Sequence, residues 1–212
     1  RTLSQEPDKP YFMLGHSMGS YLLRRYLSVY GGGLSGAVIM GTGANPDAVA
    51  KLGMAVCKAI AAFKGWKYRS PFMEKLFFSG DFQKFDMSGT HPENSWLTKD
   101  TEIVRFYYSE PRCTFKFTLK AYYDFLKTVY YVNRKENVEK IPKDLPILMV
   151  AGDCDPVGEF GKAVKRVYEM YKADGINDVT LKLYENDRHE ILNETDKERV
   201  FDDIFNWCES RQ

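Results

Sequence analysis

The chain alternates short, unbroken apolar runs with segments in which apolar positions recur every three or four residues. The first run, Tyr11-Phe12-Met13-Leu14, ends at Gly15-His16-Ser17-Met18-Gly19, and a helix-period segment from Tyr21 to Leu27 follows at once. Apolar residues without alternation mark a strand buried on both faces, as in the centre of a parallel sheet. The following helix is expected to run to about Tyr30, where Gly31-Gly32-Gly33 stops it. Leu34 to Met40 forms a second apolar run, closed by Gly41-Thr42-Gly43. A right-handed crossover between the two runs makes them parallel strands.

From Ala44 to Asp144 the texture changes. Helical patches over Ala48 to Phe63 and Thr118 to Tyr131 alternate with irregular segments rich in Phe, Tyr and Trp, and no buried strand is apparent. The pattern returns with Leu145 to Ala151, an apolar strand, and the polar loop Gly152-Asp153-Cys154-Asp155-Pro156-Val157-Gly158. A helix from about Phe160 to Ala173 and an alternating, edge-ward strand from Val179 to Tyr184 follow. The last helix is expected over Asp196 to Cys208, with Val200, Phe201, Ile204, Phe205 and Trp207 on its buried side. Upstream, Pro7-Asp8-Lys9-Pro10 reads as a turn into the first strand. The expected class is therefore α/β: core over residues 1–43, a helical cap over 44–144, and core again over 145–212. The cap's aromatics divide between its own small core and the lining of a pocket.

Composition narrows the function. With 44% hydrophobic and 15% aromatic residues the chain can bury a substantial core. Thirty basic against 29 acidic residues leave a net charge of +1, which offers no nucleic-acid surface. No apolar stretch approaches the roughly 18 residues of a membrane span. Cys57, Cys113, Cys154 and Cys208 are far apart and lack metal-ligand spacing, so they read as free thiols in a reducing, cytoplasmic setting, with no zinc site.

The chemistry centres on Gly15-His16-Ser17-Met18-Gly19, a G-x-S-x-G pattern between strand and helix. The apex serine must take a strained conformation, and Gly15 and Gly19 are expected to relieve crowding between strand and helix. The turn exposes the Ser17 hydroxyl and sets the Met18 amide at a helix N-terminus, where an oxyanion would form. Ligands of parallel sheets bind at the carboxyl ends of strands, and Ser17, Asp155 and His189 each fall in a loop at such an end. A serine hydroxyl needs a base to take its proton, an imidazole can do so near neutrality, and a carboxylate orients that imidazole. Of the other histidines, His16 is expected to support packing beside the serine and His91 to lie on the surface. Asp153 competes with Asp155 for the acid. Asp155 is preferred because it lies farther into the loop, before Pro156, and Asp153 is left with a structural role such as bonding loop amides.

The elbow, the loop Gly152 to Gly158 and the segment Arg188-His189-Glu190-Ile191-Leu192-Asn193-Glu194 resemble the lysophospholipase and monoacylglycerol-lipase-like branch of the α/β-hydrolases, also labelled serine aminopeptidase-like. The resemblance spans nearly the whole chain and likewise sets the acid on Asp155. It implies a carboxylic-ester hydrolase that takes a small-molecule acyl ester, its lipophilic chain under the cap, with transient lipid contact there and no cofactor or metal. Such hydrolases carry earlier strands before the elbow, and a loop among them supplies a second oxyanion amide. This chain starts almost at the elbow, so it is expected to be the C-terminal part of a longer protein that also holds those strands. An amidase or peptidase using the same three side chains is the enzymatic alternative. A non-catalytic binding module is the other.

Overall fold

The computed structural model describes residues 9–211, so the expected turn at Pro7-Asp8-Lys9-Pro10 falls largely outside the described residues. Four strands, β1 (Phe12–His16), β2 (Gly36–Met40), β3 (Ile147–Gly152) and β4 (Val179–Tyr184), form one sheet in the order β1-β2-β3-β4. All three pairings are parallel, with Gly15 opposite Ile39, Val38 opposite Leu148 and Met149 opposite Leu181. Parallel pairing brings all four carboxyl ends to one edge of the sheet, where Ser17, Asp155 and His189 follow β1, β3 and β4.

Every residue of β2 and β3 is buried, which explains their unbroken apolar runs. Side chains of alternate parity leave on opposite faces. Ala37, Ile39, Ile147 and Met149 pack with Leu23 and Leu27 of α1 (Met18–Tyr30) and with Val164, Val167 and Tyr171 of α7 (Lys162–Ala173). Val38, Met40, Leu148 and Val150 pack with Val200 and Trp207 of α8 (Glu198–Glu209). The elbow strand, whose composition suits the centre of a sheet, pairs only with β2 among the described residues, and Leu14 is 47% exposed. β4 closes the other edge, its alternation reflecting one covered face.

The long β2–β3 connection is helical: α2 (Asp47–Lys64), α3 (Pro71–Phe77), α4 (Thr101–Ser109), α5 (Leu119–Val132) and the short α6 (Lys135–Val138). Its starts are written locally. Ser70, Asp100 and Thr118 each accept an amide hydrogen bond from the first turn of α3, α4 and α5. Cys57, Ala61, Met73, Leu119, Tyr122 and Leu126 give α2, α3 and α5 a core of their own. Val129 and Val132 of α5 then pack on Tyr21 of α1.

Arg24 of α1 ties this connection to the sheet. Its guanidinium, 1% exposed, donates to Thr42 Oγ1 and the Gly43 carbonyl just past β2, and to the Val132 carbonyl and Asn133 Oδ1 at the end of α5. Every acceptor is neutral, so carbonyl, amide and hydroxyl dipoles, with the Tyr21 and Tyr171 rings beside them, solvate the buried charge.

One expectation fails on α8. Val200 and Trp207 are buried and Ile204 partly so, whereas Phe201 is 41% and Phe205 63% exposed. The sheet accepts only a narrow stripe of this helix, and two phenylalanines fall outside it. Trp207→Ala should therefore cost about 3–5 kcal/mol in denaturant unfolding, whereas Phe205→Ser should stay within about 0.5 kcal/mol.

Candidate active site

Ser17 holds the N-terminus of α1 with φ 55° and ψ −124°. Positive φ is rare for a residue with a Cβ and costs of order 1–3 kcal/mol, so neighbours must hold it there. The Ser17 amide donates to the Met40 carbonyl at 3.0 Å. Its own carbonyl accepts the Ser20 amide at 2.9 Å and the Ser20 hydroxyl at 2.6 Å. Met18 opens α1, at the end where helix amides have no partner within the helix. The crowding expected around the elbow is one-sided. A Cβ on Gly15 would lie 2.5 Å from the Gly19 carbonyl oxygen and 2.9 Å from Leu23 Cβ, but a Cβ on Gly19 would meet nothing within 4 Å. At position 19 the backbone does the crowding, so the expectation that Gly19 must lack a side chain for this reason is corrected.

Asp155 and His189 meet. Both are almost wholly buried, at 0% and 2% exposure. His189 Nδ1 lies 2.9 Å from Asp155 Oδ2, while Asp155 Oδ1 accepts the Val157 amide at 2.8 Å. An Nδ1–H donated to the carboxylate leaves Nε2 as the basic nitrogen, and Nε2 is buried without a hydrogen-bond partner among the described residues. The imidazole lies beside the elbow: a Cβ on Gly41, the residue after Met40, would sit 3.1 Å from His189 Cε1. Asp153 instead accepts the Asn186 amide at 2.8 Å, bonding the loop as expected.

His16 packs its ring on that of His189, centroids 4.7 Å apart, and its Nε2 lies 3.1 Å from the His189 carbonyl oxygen. A carbonyl only accepts, so Nε2 carries the proton. Burial, and then the neighbouring His189, push the His16 pKa below its ordinary 6.5, so the ring is held neutral. His91 is exposed beside Glu93.

The sequence does not show what the residues around the His189 loop bond to. The Arg188 guanidinium donates to the carbonyls of Glu93, Ser95 and Thr98, the last two some 90 positions away. Glu194, fully buried, accepts from the Arg188 amide, the Lys99 amide and the Thr98 hydroxyl. The His189 and Glu190 amides donate to the Trp96 and Leu97 carbonyls. Arg188 and Glu194 stand beside the imidazole in the chain, but only tertiary contact reveals their partners.

A cavity of about 440 Å³ opens between α1 and α5, lined by Met18, Leu22, Phe115, Phe117, Ala121, Phe125 and, at its polar part, Arg69 and Asp124. Met18 belongs both to the elbow and to this cavity. Among the described residues no His, Cys, Asp and Glu cluster could hold a metal ion, and the four cysteines are free. No described helix is long and apolar enough to cross a membrane.

A family model described as serine aminopeptidase, S33, matches residues 1–196. The monoacylglycerol lipase of Mycolicibacterium smegmatis (strain ATCC 700084 / mc(2)155) is 26% identical over 211 residues, covering 98% of this chain and 65% of that protein. This chain therefore spans just under two thirds of that curated relative. A thermostable carboxyl esterase from Bacillus coagulans, solved in complex with glycerol, superposes with a TM-score of 0.87 at 30% identity, over 99% of this chain and 67% of that one. A monoglyceride lipase variant from Saccharomyces cerevisiae superposes at 0.69 and 20% identity, over 100% and 68%, and shares the fold.

The depressed His16 sets a sign for the pH dependence of stability. As pH falls, the unfolded chain protonates this imidazole first, so the contribution is whole above about pH 6.5 and shrinks as pH drops from there toward the folded value. The melting temperature should fall between pH 7.5 and 5.5, and His16→Gln, which keeps a donor without the titration, should flatten that fall.

Proposed function

The chain belongs to the serine aminopeptidase S33 family, with the α/β-hydrolase fold, and from that membership we propose that it cleaves carboxylic esters of lipophilic acyl groups. The observation that carries the reading is the buried Asp155–His189 pair packed on His16, the residue before a serine held at positive φ on a strand-to-helix turn.

In this mechanism Ser17 Oγ attacks the ester carbonyl as its proton passes to His189 Nε2. Asp155 keeps Nδ1 protonated and stabilises the imidazolium. The Met18 amide donates to the oxyanion, and His189 returns the proton to the leaving alcohol. Water, activated by the same imidazole, then releases the acid from the acyl-enzyme.

The apolar lining of the cavity next to Met18 supports a lipophilic acyl group, and Phe115, Phe117 and Phe125 suit an alkyl chain better than a charged one. The β2–β3 connection is then a cap over the acyl chain. Its outward Val49, Leu52, Phe63 and Phe72 support transient contact with lipid.

Ser17→Ala should lower turnover of p-nitrophenyl esters by about a thousandfold or more and abolish fluorophosphonate labelling. Equal rates for variant and parent would remove the catalytic role. Acyl esters should exceed aminoacyl amides as substrates, and the reverse ranking would favour the peptidase reading. Ala121→Trp, which fills the cavity, should depress kcat/KM for octanoyl relative to acetyl esters by about tenfold.

A further inference from the structure

Trp96 takes no step in that mechanism, yet it is the residue of the β2–β3 connection that lies directly on His189. Its ring centroid is 5.0 Å from that of the imidazole, with the planes tilted by 31°. Its carbonyl also accepts the His189 amide at 3.3 Å, so one residue holds both the backbone and the ring of the proposed base. The indole is itself fixed. It is 8% exposed and packs against Phe82 at 5.3 Å and Phe78 at 6.2 Å. A ring so braced cannot turn away when its neighbour changes charge.

We propose that Trp96 is a positioning residue for the base, holding the plane of the His189 imidazole and favouring its protonated form during acylation. The proton in question leaves Ser17, rests on Nε2 and departs with the alcohol. While it rests there the imidazole is a cation within reach of an indole face, the aromatic surface that attracts cations best. The neutral ring and the cation are thus held unequally, and only an unequal interaction speeds a step.

The charged and titratable groups around this contact are accounted for. Asp155 approaches from the loop after β3 and His16 from the end of β1, the latter held neutral. Glu190 bonds Asn193, the Arg188 guanidinium is turned to three carbonyls, and Asp187 is paired with Lys99 and Arg199. Among these neighbours Asp155 alone bonds the imidazole ring, and Trp96 adds an attraction without adding a charge.

The catalytic part of the proposal rests on the triad reading; the contact itself does not. The experiment therefore pairs kinetics with indole emission in the parent protein, Trp96→Phe, Trp96→Leu and His189→Gln. An imidazole in contact with an indole quenches it, so His189→Gln should emit more strongly than the parent, and that gain should vanish when Trp96 is replaced as well. Trp96→Leu, checked for folding by its melt, should lose about three- to tenfold in kcat with KM unchanged. It should also move the acid limb of kcat/KM to lower pH by about half a unit. Trp96→Phe should recover most of both. Equal losses in the Phe and Leu variants with an unmoved pH profile would reduce Trp96 to space-filling and overturn the proposal, as would parent-like kinetics in Trp96→Leu. A parent that quenches but turns over no ester would overturn the hydrolase reading, and the catalytic role of Trp96 with it.

Discussion

Ser17 keeps its φ of 55° because the bonds on either side of it allow little else. Its amide is fixed to the Met40 carbonyl at the end of β2, and its carbonyl is held by two donors of Ser20. The strain is local, but the restraints reach into the sheet, since the β1–β2 register sets where Met40 lies. Gly15 completes the arrangement by letting the first turn of α1 come down onto β1. A change in the packing of β2 would thus be felt first as a change in where the serine hydroxyl points.

Among the described residues, most polar groups around the site are paired, His189 Nε2 being an exception. Asp155 and Glu194 are wholly buried carboxylates, and each has its acceptors filled by amides, a hydroxyl or an imidazole. Arg24 is a buried cation met by neutral acceptors and by the rings of Tyr21 and Tyr171. Networks of this kind hold a single geometry because any shift leaves a buried group unpaired, at about 1–3 kcal/mol or more for a charged one.

Much of this was legible in the chain, for particular reasons. β2 and β3 announce themselves because burial on both faces removes alternation, and β4 because one open face restores it. Asp155 stood out from Asp153 because it lies deeper in a loop at a strand's carboxyl end, and that depth is what lets it reach His189. The outward turn of Phe201 and Phe205 was not legible, because hydrophobicity alone does not say how wide a stripe the sheet will cover. Trp96 was one aromatic among many, since its contact with position 189 depends on how the whole connection folds back.

That folding back divides the β2–β3 connection into two mechanically different parts. The stretch from Glu93 to Lys99 is stitched to the His189 loop through Arg188, Glu194 and two backbone bonds. Helices α2, α3 and α5 instead share an apolar cluster of their own and reach the sheet mainly through the Tyr21 contact and the Arg24 bonds. A displacement that widened the cavity would therefore swing those helices as a roof about the end of α5. Phe77 and Phe78, at the end of α3, lie against Phe125 of α5 and against Trp96, so that roof stays joined to the wall beside the imidazole through a chain of aromatic rings.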